Sequence, residues 1–101
     1  MPSVASHALN EEVVAYCEAH HLLGHLETAL RMAEQTMQPI DRLSVTIESD
    51  PESDERTVVV DVWIRATVDE GLSRKAAFTR LWLDSVPPSV VGQIILLHYL
   101  T

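Results

Sequence analysis

From Leu43 to Glu48 the chain alternates, with Leu43, Val45 and Ile47 on one side and Ser44, Thr46 and Glu48 on the other. A period of two is that of a strand with one buried face. Residues 49–55, Ser-Asp-Pro-Glu-Ser-Asp-Glu, are turn formers and charges, and Thr57 to Ala66 is rich in β-branched residues. Two antiparallel strands joined by a long acidic loop are therefore predicted. On the second strand Val58, Val60, Val62 and Ile64 share one face, while the other mixes Val59 and Trp63 with Asp61 and Arg65. That second face is not fully polar.

Before the strands the period is different. Asn10 followed by Glu11 and Glu12 predicts a helix start, because the Asn side chain accepts from free backbone N–H groups and the acids suit the positive end of the dipole. The pattern falters at His21-Leu22-Leu23-Gly24, and Gly24, the first permissive residue, is read as the break. Leu22 or Leu23, Leu26, Ala29, Leu30, Ala33 and Met37 then recur at three- and four-residue steps, the stripe of a helix with one buried face. The outcome is a helical hairpin, or one kinked helix, ending before Pro39.

After the strands, Thr67-x-x-Glu70 is a capping box that opens a helix at about Val68. Its inward stripe is predicted to be Leu72, Ala76, Thr79, Leu83 and Val86, flanked by Phe78, Leu81 and Trp82. Pro87-Pro88 stops it by clash and missing donors. From Gln93 to Leu100, Ile94, Leu96 and Leu100 alternate with Ile95, Leu97 and Tyr99, an apolar run on both faces that predicts a strand covered twice. The fold class is α+β: an N-terminal helical hairpin followed by ββαβ with a three-stranded mixed sheet, the last strand parallel to the second. The preferred order sets the last strand beside the first, making the Leu43 strand central; the alternative places the Thr57 strand in the middle.

At 101 residues, 47% apolar and 22% charged, the composition is that of one foldable domain over 1–101, with residues 1–8 expected to be disordered. Fifteen acids against seven Lys and Arg give a net charge of −8, which repels phosphate backbones and argues against nucleic acid. No apolar run reaches the roughly 18 residues that span a bilayer, and Met1 to Ala8 has neither a basic n-region nor a long apolar core, so a soluble, unexported protein without a membrane partner is expected. Cys17 is the single cysteine, which excludes an intrachain disulfide and suits the reducing cytoplasm.

Candidate chemistry is sparse. On an unbroken helix Cys17, His21 and His25 would stand at four-residue steps and could meet one metal ion; on a broken one Cys17 packs as a small hydrophobe and the histidines decorate a turn. Asp50, Glu52, Asp54 and Glu55 resemble the first half of a calcium loop, but its sixth and twelfth positions hold Glu55 and Asp61 where Gly and Glu are required. Arg74, Lys75 and Arg80 share a helix with Asp69, Glu70 and Asp84 and read as a mixed, solvated face. There is no G-x-S-x-G elbow and no Gly-rich phosphate loop. No catalytic residue and no cofactor are assigned, and an enzyme is not expected.

Val59, Trp63, Ile95, Leu97 and Tyr99, with Trp82, are hard to hide in so small a domain. Either helices cover both sheet faces or the surplus forms an association patch anchored by aromatics, with a symmetric homodimer as the commonest outcome. The layout of Asp41-Arg42-Leu43-Ser44-Val45, the Asp50-Pro51-Glu52 turn, the valine-rich strand, and Trp82 ahead of Val86-Pro87-Pro88 resembles small uncharacterised acidic α+β proteins of bacteria. That resemblance implies a fold and brings no activity. By analogy such short acidic chains resemble the antitoxin-like or accessory partner of a second protein. The reading is a non-enzymatic interaction or accessory module that self-associates and holds another protein, with metal binding at Cys17, His21 and His25 as the alternative.

Overall fold

The computed structural model describes residues 10–101. The disorder expected for residues 1–8 lies outside them. The elements follow in the order α1 (Glu11–Ala19), α2 (Leu23–Thr36), β1 (Ile40–Ser49), β2 (Arg56–Ile64), α3 (Val68–Ser85), a single turn α4 (Pro88–Val91) and β3 (Ile94–Leu100). This is the predicted α+β arrangement, a helical hairpin followed by ββαβ. The short α4 was not anticipated; Pro88 at its first positions, where an N–H would be unpartnered anyway, starts it directly after α3 has been stopped.

The helix starts follow their caps. Asn10 Oδ1 accepts from the Val13 N–H at 2.9 Å. At α3 both halves of the capping box form: Thr67 Oγ1 accepts from the Glu70 N–H and the Glu70 carboxylate accepts from the Thr67 N–H. The break between α1 and α2 is not made by Gly24, which lies inside α2. It is made three residues earlier, where His21 takes the left-handed conformation at φ 58°. The His21 N–H donates to the Glu18 carbonyl and the Leu22 N–H to the Cys17 carbonyl, the paired bonds of a Schellman motif, and Leu22 and Cys17 are buried together as its apolar contact.

The sheet order is β1-β2-β3. The preferred order with β1 central is thus corrected: β2 is central, antiparallel to β1 (Val45↔Val60) and parallel to β3 (Val60↔Leu96). The reason is composition. Four consecutive inward positions of β2, from Val58 to Ile64, are essentially inaccessible, which only a central strand permits, whereas β1 keeps a charged outward row.

A second correction concerns coverage. One core cluster joins Val13 and Cys17 of α1, Leu26, Ala29, Leu30 and Ala33 of α2, and Phe78 and Trp82 of α3 to the inward row of the sheet: Leu43, Val45, Val58, Val60, Val62, Ile64, Ile94 and Leu96. All three long helices therefore lie on the same face. β3 is covered once, not twice. The stripe of α3 is also rotated from the expected one: Gly71, Phe78 and Trp82 face the core, while Leu72 and Leu83 are 58% and 54% exposed. Gly71 suits this rotation, because a Cβ there would lie 3.1 Å from Leu100 Cδ2 and 3.3 Å from His98 Nε2, so both side chains would have to give way.

Candidate protein-docking face

The outward residues of the sheet are Arg42, Ser44, Thr46 and Glu48 on β1, Thr57, Val59, Asp61 and Trp63 on β2, and Ile95, Leu97 and Tyr99 on β3. Register aligns them in rows: Arg42-Trp63-Tyr99, Ser44-Asp61-Leu97 and Thr46-Val59-Ile95. The five association residues named from the sequence thus share one face, which no element among the described residues covers. Ile95, Leu97 and Tyr99 are each about 40% exposed. Val59 is buried without joining the main core, since it stands mid-face between Thr46 and Ile95 on the neighbouring strands.

The first row is built as a stack. The Trp63 and Tyr99 rings lie 5.0 Å apart between centroids at 22°, and the Arg42 guanidinium carbon sits 4.7 Å from the Trp63 ring centroid. The Tyr99 hydroxyl leans along the face and donates to Asp61 Oδ1 at 3.1 Å. That bond, with some loss of solvent and the nearby Asp61 and Glu48 carboxylates, raises the Tyr99 pKa and keeps the phenol protonated. Below the row an irregularity in β1 frees Asp41 from pairing, and its carboxylate accepts from Arg65 Nη2 at 2.6 Å and from the Thr101 hydroxyl at 2.8 Å. The start of β1 and the ends of β2 and β3 are tied there. Arg42 is a part of this face that pattern reading passed over, and Asp61 was placed on it beside Val59 and Trp63 without being counted in the association set; the alternation from Leu43 to Glu48, extended one residue back, would have placed Arg42 in the outward row.

The candidate metal ligands are not brought together. With the helix ended at Ala19 and restarted at Leu23, the unbroken register that put Cys17, His21 and His25 on one face is lost. Cys17 is fully buried, which pushes its thiol pKa up, and His21 and its left-handed backbone stand exposed in the turn. Among the described residues no three His, Cys, Asp or Glu side chains are placed to hold one ion. In the β1–β2 loop Asp50 Oδ1 accepts from the Glu52 N–H, an Asx turn that its own backbone satisfies.

A shallow groove of about 190 Å³ runs between α3 and β3, lined by Lys75, Phe78, Trp82, Leu83, Ile94 and Leu96 among others. It is smaller than the roughly 300 Å³ at which small-molecule sites begin. Its single cation is occupied, because Lys75 Nζ donates to the Leu96 carbonyl at 2.6 Å; partial burial lowers the Lys75 pKa. Among the described residues no helix is long and apolar enough to cross a membrane. Comparison with known proteins gives no match, whether to family models, to curated proteins or to solved structures.

Proposed function

We propose that this chain is a non-enzymatic interaction module that holds another protein on the open face of its sheet. The observation that carries the reading is the gathering of Val59, Trp63, Ile95, Leu97 and Tyr99 on one sheet face that no element among the described residues covers, with Arg42 stacked on Trp63. Trp, Tyr and Arg are the residue types that dominate binding energy at interfaces, because each combines a large apolar contact with a directed polar group. The aromatic rings here are pre-oriented by stacking, so little side-chain entropy is lost on docking.

The face also states what its partner must bring. Asp61 stands in the middle row with one hydrogen bond from Tyr99, and a partner that covers Leu97 and Ile95 also takes that carboxylate out of water. An uncompensated buried charge is strongly unfavourable. The fitting partner is therefore a protein segment whose apolar side chains flank an Arg or Lys, and the −8 net charge steers such a basic partner to the module. The same charge disfavours nucleic acid, and a lone buried thiol suits the cytoplasm.

The test compares wild-type protein with Leu97→Glu and Asp61→Lys as baits in cells of the native host, then maps the reconstituted complex by hydrogen exchange. A partner lost by both variants, with β3 protected in the complex, supports the reading. Wild-type protein that retrieves nothing, or a partner indifferent to both substitutions, ends it.

A further inference from the structure

A second apolar surface is not explained by the sheet. Val68, Leu72 and Leu83, at 63%, 58% and 54%, are the most exposed large hydrophobic residues among those described, and all three are on α3. At 100° per residue Leu72, Ala76 and Leu83 lie with Asp69 and Arg80 inside an arc of about 80°, opposite the Gly71, Phe78 and Trp82 face that meets the core. The helix is thus apolar on two sides, and one of them has nothing against it among the described residues.

From the outer side of α3 we infer that two copies of this chain pair through α3 in antiparallel fashion. Charge supplies the argument. Asp69 and Arg80 are three turns apart, about 16 Å along the axis, on either side of Leu72 and Ala76. Neither side chain has a partner among the described residues, whereas Glu70 and Arg74 on the flank pair with each other. A two-fold axis midway between them sets Asp69 of each copy against Arg80 of the other and brings Leu72 and Ala76 of the two copies together, while Leu83 reaches past the start of the partner helix. Ala76, near the axis, lets the helices approach. A parallel copy would oppose like charges instead.

The rest of the surface is compatible with a second copy at this place. Up to residue 64 the chain carries twelve acids against three arginines, but from Arg65 onward three acids against four cations. On α3 itself Asp69, Glu70 and Asp84 are balanced by Arg74, Lys75 and Arg80, so this helix can meet a second copy of itself without strong repulsion. Pairing through the β3 edge is the competing geometry, and Lys75 opposes it, since its ammonium caps the outward carbonyl of Leu96 as an edge guard. An 18-residue helix offers a strip about 27 Å long and roughly 10 Å wide, well below the ~800 Å² per partner of a standard interface, so the dimer is weak and dissociates on dilution. It leaves the open sheet face free for a partner.

Sedimentation equilibrium across a dilution series tests this with three samples whose folding is checked by circular dichroism. Wild-type protein dimerises; Asp69→Arg and Arg80→Asp each weaken the dimer by about tenfold or more, through two like-charge contacts. Mixed in equal amounts, the two weakened variants form a heterodimer of near wild-type affinity, because the reversed charges now face each other; a fold defect in either variant would not be rescued in this way. A wild-type protein that stays monomeric at millimolar concentration overturns the inference. So does a dimer unaffected by both reversals, a mixture no tighter than its components, or a dimer abolished by Leu97→Glu on the sheet face alone.

Discussion

The two faces of the sheet are made from the same three strands and held by different physics. On the helix side Val58, Val60, Val62 and Ile64 are shut away from water under three helices, and their order comes from apolar area removed from solvent. On the other side order comes from pairwise contacts that survive in water: guanidinium on indole, indole on phenol, phenol to carboxylate. A face organised in the second way keeps its shape while exposed.

The largest expected effect tests the covered face. Leu26→Ala, at a fully buried position on α2, should cost about 2–5 kcal/mol in urea unfolding, from lost transfer energy plus the cavity left behind. On the open face Trp63→Ala comes next, at about 1–2 kcal/mol, because it removes one ring stack and one cation–π contact at once. In a double-mutant cycle with Arg42→Ala, the coupling should be about 0.5–1 kcal/mol. A cycle that gives zero would mean that Arg42 merely rests there, and the pairwise account of the open face would fail.

How far the sequence discloses this difference can be followed residue by residue. The strands, the capping box at Thr67 and the stop at Pro87-Pro88 are legible because each rests on local chemistry: period, a hydroxyl three residues before a carboxylate, a missing N–H. The side of a helix that turns inward is not local. Leu72, Ala76, Thr79 and Leu83 make as good a stripe as the observed one, and the observed face fits Gly71 against Leu100 and His98, residues far away in the chain. His21 misleads for a related reason. Glycine usually takes the left-handed position at a helix end, so Gly24 is the natural guess, but burial of Leu22 against Cys17 fixes the motif one turn earlier and obliges a histidine to adopt it. The open face was legible as a set of five surplus apolar residues. Their common side follows from alternation, while the absence of a helix over them depends on where α3 crosses.

Leu97→Ala is the same deletion as Leu26→Ala moved to the exposed row, and its cost should stay below about 0.5 kcal/mol in dilute protein. The contrast between these two leucines measures the asymmetry of the sheet directly. If Leu97→Ala instead costs as much as a core truncation, and the cost grows with protein concentration, the face is covered by a second copy in solution. The α3 pairing would then have lost its rival's vacancy.

The smallest effect is a pH-dependent one at the strand ends, where the open face is anchored. Hydrogen bonds from Arg65 and Thr101 hold the Asp41 carboxyl below the usual aspartate range. With its pKa lower in the folded chain than in the unfolded one, Asp41 contributes in full above the ordinary aspartate value. That contribution fades as pH falls through the folded value, because the unfolded chain takes up the proton first. Asp41→Asn should therefore lower the melting temperature slightly at neutral pH, and the gap between variant and wild type should close as the solution is acidified. Glu70, held low by the Thr67 backbone and hydroxyl at the start of α3, titrates in the same direction. In Asp41→Asn it remains as the acid-sensitive contact of the helix layer, so the variant keeps a residual acid slope. A gap that instead stays constant down to the lowest pH at which the protein folds would show that Asp41 acts through its shape in the strand irregularity and not through its charge.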